Sequence, residues 1–158
     1  MDLTREFLRH TVATVAYRGG KAVRGASPAF AGFTVGDSPR TPVHILAHIG
    51  DLMDWALHLA RGAHVWNDSP PLEWDLEVER FHSSLRRFDE FLASDAPLGA
   101  PLEKLFQGPV ADALTHVGQI TMLRRLAGTP MKSENYFKAE IEAGHVGAEQ
   151  TPATREFN

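Results

Sequence analysis

The chain has 158 residues, of which 43% are hydrophobic and 23% charged, as in an ordinary globular domain with its own core. The absence of cysteine excludes disulfides, thiolate metal ligands and a cysteine nucleophile. A formal net charge of −4 gives no basis for nucleic-acid binding, and no apolar run approaches the roughly 18 residues that cross a bilayer.

A first amphipathic helix is predicted over residues 3–24, where apolar residues recur at roughly helical spacing. The adjacent Gly19 and Gly20 leave open whether this helix is broken there. Residues 25–40 are rich in glycine, proline, alanine and serine, but they include two phenylalanines and are too apolar for a solvated linker. We therefore expect a long connection packed on the same domain.

The second predicted helix begins at Thr41 and Pro42, because a hydroxyl residue followed by proline is a strong helix start. It is expected to end at Gly62, a residue suited to a left-handed C-cap. Its apolar residues alternate steps of four and three, which is typical of a helical bundle. A parallel stripe forms a polar edge beside this core stripe and contains His44, His48, Asp51 and Trp55.

A third helix is predicted after a turn at residues 63–71 and runs to about residue 94. Its other faces carry charges in the pattern of a solvated surface: Glu77, Glu79, Arg80, Arg86, Arg87 and Glu90. Residues 95–108 are predicted as a loop with one short turn. A fourth helix is expected over residues 109–128, a short fifth helix over residues 134–143, and an extended or disordered tail after it.

These elements predict an all-α protein, a single four-helix bundle domain over residues 1–158 with a long first connection. The bundle core is expected within about residues 1–128, with the short C-terminal helix and the tail following. An alternating up-and-down arrangement would make the second and fourth helices parallel. At 1.5 Å per residue, His48 would lie about 9 Å from the start of its helix, and Asp112 and His116 about 5 to 10 Å from the start of theirs.

His48, Asp112 and His116 are therefore the candidate metal ligands. Asp112 and His116 are four residues apart and share a helix face. Two histidines and one carboxylate with open positions suit zinc or iron(II). Asp51 and Gln119 are candidates to orient the histidines, and His44 is an alternative ligand.

A structural role is the favoured interpretation from spacing alone. A carboxylate near a helix N-terminus is stabilised by the helix dipole without any function, which applies to Asp112. His48 can also border the core with its ring bonded to a carbonyl group. Gly118 adds one further signal, since glycine inside a helix costs about 1 kcal/mol relative to alanine and suggests close approach of another backbone or a ligand.

Two segments, LAHIGDLMDW and ALTHVGQITMLRRLAGTP, resemble the DinB-like family of metalloenzymes. Members of that family are four-helix bundles with a long first connection, a histidine early in helix two and a fourth-helix pattern like HxxxHRGQ. His48 matches the first histidine, and His116, Gly118 and Gln119 match the end of the second pattern. Asp112 stands where the family's other histidine is usual, and Val117 where arginine is common.

The resemblance implies a divalent-metal-dependent enzyme, of thiol transferase or hydrolase type, with zinc, nickel or iron as the metal. It also implies a small-molecule substrate or a low-molecular-weight thiol as partner, and a homodimer. The alternative is a non-catalytic bundle that binds a ligand or dimerises and whose metal site is degenerate. The N-terminal residues MDLTREFLRH lack the continuous apolar segment of a signal peptide, so we expect a cytoplasmic protein.

Overall fold

Four long helices form the bundle in the computed structural model, which describes residues 2–157. They are α1 (Leu3–Val23), α2 (Pro42–Ala60), α3 (Trp74–Ala93) and α5 (Ala111–Leu126). A short helix α4 (Leu102–Leu105) and a π-helical turn (Phe106–Val110) lead directly into α5. The predicted all-α class is confirmed. Within the described range, no helix is both long and apolar enough to cross a membrane.

Helix α1 runs without a break through its paired glycines. Gly19 is required there by packing, because a Cβ atom at this position would lie 2.5 Å from the Cζ atom of Phe81. The Phe81 side chain is fully buried, so α1 and α3 approach closely at this point. Gly19 is therefore a packing feature, and the paired glycines do not end the helix.

The long first connection contains a 3-10 helix (Pro28–Gly32) and is anchored on the bundle, as expected. Phe30 is buried and contacts Trp74 edge to face, with 5.7 Å between ring centroids. Helix α2 then begins at Pro42 with Thr41 as its N-cap residue. The helix ends just before Gly62, whose φ of +83° is the left-handed conformation that favours glycine.

Helix α1 packs against α3 and α5, and α2 packs against the same two helices. An ion pair between Arg9 and Asp89 joins the start of α1 to the end of α3, so these helices are antiparallel. Arg124 near the end of α5 donates hydrogen bonds to the carbonyl groups of Ala22 and Arg24. Helices α1 and α5 are therefore parallel.

Helix α2 runs parallel to α3, since Arg80 donates to the Ala47 carbonyl and Arg87, two turns later, pairs with Asp54. It is antiparallel to α5, and the predicted parallel arrangement was wrong. The reason lies in residues 61–73, which return along α2 instead of forming a tight turn. The Ser69 amide binds Asp51 Oδ2 at 2.9 Å, so α3 begins at the same end of the bundle as α2.

The approach to α5 is more helical than predicted. Residues 95–108 were expected to be a loop with one short turn, but helical structure is continuous from Leu102 to Leu126. Pro109 lies inside the π-helical turn. Because proline has no amide hydrogen and clashes with the preceding turn, a locally widened helix accommodates it.

The predicted fifth helix is absent from residues 134–143, where a 3-10 turn (Tyr136–Lys138) is found instead. Strand β1 (Ser133–Glu134) pairs antiparallel with β2 (Glu156–Phe157), so the tail folds back on the bundle. The physical reason is the Glu134 side chain, which is buried and accepts hydrogen bonds from the Tyr17 hydroxyl at 2.6 Å and the Lys21 ammonium at 2.7 Å. These contacts hold the backbone extended.

The charged face predicted for α3 is only partly solvated. The Glu77 and Asp51 carboxylates are 0% and 2% exposed, and both bind the guanidinium group of Arg80. Glu77 also accepts from the Leu72 amide at 2.9 Å. Gly50 makes room for this cluster, because a Cβ atom there would lie 3.1 Å from the Arg80 guanidinium carbon. Glu77 and Arg80 therefore join α2, α3 and the loop between them.

We expect the protein to lose stability as the pH falls below about 6.5, the ordinary pKa of histidine. His82 is 5% exposed beneath the tail, with its Nδ1 atom 3.4 Å from the Val146 carbonyl oxygen. Burial lowers the pKa of His82, and Arg24 and Arg86 lower it further, against a smaller raising effect of the Val146 hydrogen bond. The unfolded chain then binds a proton at His82 at a higher pH than the folded chain does. The free energy of unfolding therefore decreases as the pH falls.

The measurement is urea unfolding at pH 7.5 and 5.5 for the native chain and for His82→Asn, whose amide can still donate to a carbonyl group. One such group changes the free energy of unfolding by at most about 1.4 kcal/mol per pH unit. His82→Asn should lose less stability than the native chain over this range. An equal loss in both proteins would contradict this assignment.

Candidate metal centre

Two antiparallel helices bring the three predicted ligands together. His48 lies in the second turn of α2, whereas Asp112 and His116 lie one turn apart at the start of α5 and project from the same face. One ligand atom from each of the three residues can be chosen so that all lie within 4.8 Å of one another. The sequence prediction that they meet at one level is confirmed, although the helix directions behind it were wrong.

The Asp112 carboxylate lies between the two imidazoles. Its Oδ2 atom is 3.8 Å from His48 Nε2, and its Oδ1 atom is 3.5 Å from His116 Nε2. The two rings are nearly perpendicular, with centroids 4.6 Å apart. Both carboxylate distances exceed the 2.7–3.2 Å of a hydrogen bond to nitrogen. The side chains therefore converge without being hydrogen-bonded to each other.

Gln119 fixes the orientation of His116. Its Oε1 atom lies 2.7 Å from His116 Nδ1, one turn further along α5. Because an amide oxygen only accepts, Nδ1 carries the proton in this contact. In the neutral ring, the lone pair is then on Nε2, the atom that faces Asp112. Gln119 thus contacts His116, one of the two histidines that the sequence predicted it would orient.

The environment of His48 favours the neutral imidazole. Burial lowers the pKa of His48, and the neighbouring His116 and Arg40 lower it further. Asp112 and Asp51 act in the opposite direction but do not outweigh these effects. A neutral ring offers its nitrogen lone pair to a metal ion or a proton donor.

Two tryptophans close one side of the cluster. The Trp66 ring lies edge-on to His48 with centroids 5.5 Å apart, and it contacts Trp55 at 5.8 Å in the same manner. Trp55 also lines a cavity of about 430 Å³ beside Asp112, together with Gln107, Gly108, Ala111 and Thr115. Sequence reasoning missed Trp66, and the signal was a large aromatic residue within the polar segment between α2 and α3.

The other two predicted site residues lie elsewhere. The Asp51 carboxylate is bound to Arg80 and to the Ser69 amide, and within the described residues no hydrogen bond joins it to either histidine. His44 is exposed at the start of α2, and its Nδ1 atom lies 2.6 Å from the Thr41 hydroxyl. The structure therefore brings together His48, Asp112, His116 and Gln119, but not Asp51 or His44.

Fold and site define an all-α bundle that carries a His-Asp-His group able to hold a metal ion. Comparison with protein-family models, with curated proteins and with solved structures finds no match to this chain. The chemistry of the site must therefore be inferred from its own residues.

Proposed function

We propose that this protein is a divalent-metal-dependent enzyme of the DinB-like type, with His48, Asp112 and His116 as the metal ligands. The observation that carries the proposal is the convergence of three ligand atoms from two helices within 4.8 Å. The two imidazoles and the carboxylate are too far apart to satisfy one another by hydrogen bonds.

The donor set fits a divalent ion. Ligand atoms about 2.1 Å from a tetrahedral zinc ion lie about 3.4 Å from each other. The separations of 3.5 and 3.8 Å reach different oxygens of Asp112, and one ligand atom from each residue lies within 4.8 Å of the others, so small side-chain movements would close the set on an ion. Two neutral imidazoles and one carboxylate suit zinc, nickel or iron(II). The contact between Gln119 and His116 is the kind of second contact that orients a metal-bound histidine.

When bound, such an ion would lower the pKa of a water molecule or a thiol towards neutrality and so supply a nucleophile. The residues around the ion would control access to it. Asp112 is 49% exposed and borders the cavity of about 430 Å³, which gives a small substrate access to the open side. The Trp66 ring lies edge-on to His48, with the ring centroids 5.5 Å apart. A transferase that uses a low-molecular-weight thiol, or a hydrolase, fits this arrangement.

A second candidate is a non-catalytic bundle that dimerises and has a degenerate metal site. Asp112 and Val117 both depart from the pattern that the chain otherwise resembles. Leu3 and Phe7 are 86% and 67% exposed, and Phe7 borders an apolar cavity of about 230 Å³ with Phe106. Such a surface supports a homodimer. Under either candidate we place the protein in the cytoplasm.

Metal analysis of untagged protein, purified without a nickel column, tests the proposal. We expect close to one zinc, nickel or iron ion per chain, and hydrolysis of an activated ester or consumption of a low-molecular-weight thiol with an electrophilic aryl halide. Dialysis against a chelator should abolish turnover, and the metal should restore it. Metal-free protein that binds no added zinc, nickel or iron would refute the metal site and favour the second candidate, whereas stoichiometric metal without turnover would refute the proposed enzymatic activity.

A further inference from the structure

A larger cavity lies on the other side of α5. Its volume is about 580 Å³, and its walls come from α1, α5 and the C-terminal residues that include β1 and β2. At 100° per residue, its lining residues Leu114, Gly118 and Arg125 face almost opposite to Asp112 and His116. This cavity is therefore separate from the metal centre. Its volume is within the usual range for small-molecule sites.

Two arginines give the cavity an unbalanced positive charge. Arg18 and Arg125 both line it, and neither forms an ion pair with a carboxylate among residues 2–157. The one acidic residue in the lining is Glu134, and Tyr17 and Lys21 already bind its carboxylate. The cavity therefore has two cationic groups available to an anion.

Arg18 is held in place for such a role. Its guanidinium carbon lies 4.1 Å from the centre of the Tyr136 ring, within the range of a cation–π contact. Tyr136 follows β1 closely and itself lines the cavity. The Arg18 side chain is partly buried and already ordered. Ligand binding would therefore cost less conformational entropy than it would at a freely moving arginine.

The rest of the lining is mainly apolar and includes Leu114, Val117, Met122, Met131 and Phe157. Gly118 lies among these residues in the interior of α5. No heavy atom lies within 4 Å of the position that its Cβ atom would occupy, so protein packing does not require glycine there. Glycine costs about 1 kcal/mol relative to alanine inside a helix, and space for a bound molecule explains that cost.

We propose that this cavity binds a small amphiphilic anion, with its carboxylate or phosphate group at Arg18 and Arg125 and its apolar body against Gly118. The charge of the two arginines selects the anionic group. The leucine, valine, methionine and phenylalanine side chains select the apolar body. A hydrophilic anion such as inorganic phosphate would gain only the first of these contributions.

The test is fluorescence titration with the aromatic sulfonate 1-anilinonaphthalene-8-sulfonate, followed by displacement with decanoate, decanol or inorganic phosphate. We expect saturable binding of one probe molecule per chain, displaced by decanoate at concentrations at least tenfold lower than by decanol or phosphate. Gly118→Leu fills the cavity and should abolish the saturable binding. It also replaces glycine by a better helix former, so the fold should be retained.

The double variant Arg18→Gln/Arg125→Gln leaves Gly118 unchanged and should weaken probe and decanoate binding about tenfold. The matched control is Arg86→Gln/Lys104→Gln, which removes the same charge from exposed positions outside the cavity lining. This control should bind as the native chain does. Unchanged binding in both cavity variants, or equal displacement by decanol and decanoate, would overturn the proposal.

Discussion

Replacing His48 or His116 with alanine is expected to lower the affinity for Zn²⁺ by more than about 100-fold. Loss of an orienting contact outside the ligand set typically costs 10–100-fold, and loss of a ligand itself should cost more. Trp66 provides the signal, because its ring lies 5.5 Å from that of His48 and its fluorescence should respond to an ion at that position. The measurement is titration of metal-free protein in the presence of a competing chelator.

His44→Ala is the matched control. His44 lies one turn before His48 on the same helix, but it is exposed and bonded to Thr41. Its loss should leave Zn²⁺ affinity within about twofold of the native value, since it does not contact the cluster. Gln119→Ala should lie between the two, with an affinity about 10–100-fold lower. Equal affinity in the native chain, His48→Ala and His116→Ala would refute this ligand assignment.

Substitutions of Asp112 distinguish a metal site with a carboxylate ligand from a degenerate site that does not bind metal. Asp112→Asn keeps the shape of the side chain and removes its charge, so it should weaken Zn²⁺ binding at least about tenfold if the carboxylate is a ligand. Asp112→His introduces the histidine that is usual at this position in the family that the chain resembles. This variant should still bind Zn²⁺. Native affinity in the Asp112→Asn variant would mean that Asp112 only stabilises the start of α5 through the helix dipole.

Arg80→Met should destabilise the fold by about 3–5 kcal/mol, the usual cost of leaving a buried charge without its partner. Arg80 binds Asp51 and Glu77, whose carboxylates are 2% and 0% exposed. Methionine approximates the length and apolar volume of the arginine stem, so the change isolates the charged head. Urea unfolding followed by far-UV circular dichroism measures the effect.

Arg86→Met is the control for this experiment, because Arg86 lies on the same helix and is exposed. Its free energy of unfolding should stay within about 0.5 kcal/mol of the native value. The triple variant with Arg80→Met, Asp51→Asn and Glu77→Gln should recover part of the loss, since it removes the uncompensated charges. An Arg80→Met protein as stable as the control would contradict the role assigned to this cluster.

Much of the fold follows from local patterns in the sequence. Apolar residues at alternating steps of four and three predicted the long helices. Thr41 with Pro42 predicted the start of α2 and Gly62 predicted its end, both within two residues of the observed limits. These signals depend on neighbours within one or two turns, so they can be read without tertiary contacts. The four-residue spacing of Asp112 and His116 likewise placed both on one face of α5.

The tertiary structure decided the directions of the helices and the binding partners of polar residues such as Asp51. Residues 61–73 can form a turn or a return path, and the contacts of Ser69 and Arg80 with α2 hold α3 parallel to it. Asp51 was predicted to orient the histidines, but Arg80 on another helix binds its carboxylate. The sequence alone determined which residues could serve as metal ligands. Their convergence was decided by how α2 packs on α5, because contacts between distant segments depend on how whole helix faces are buried.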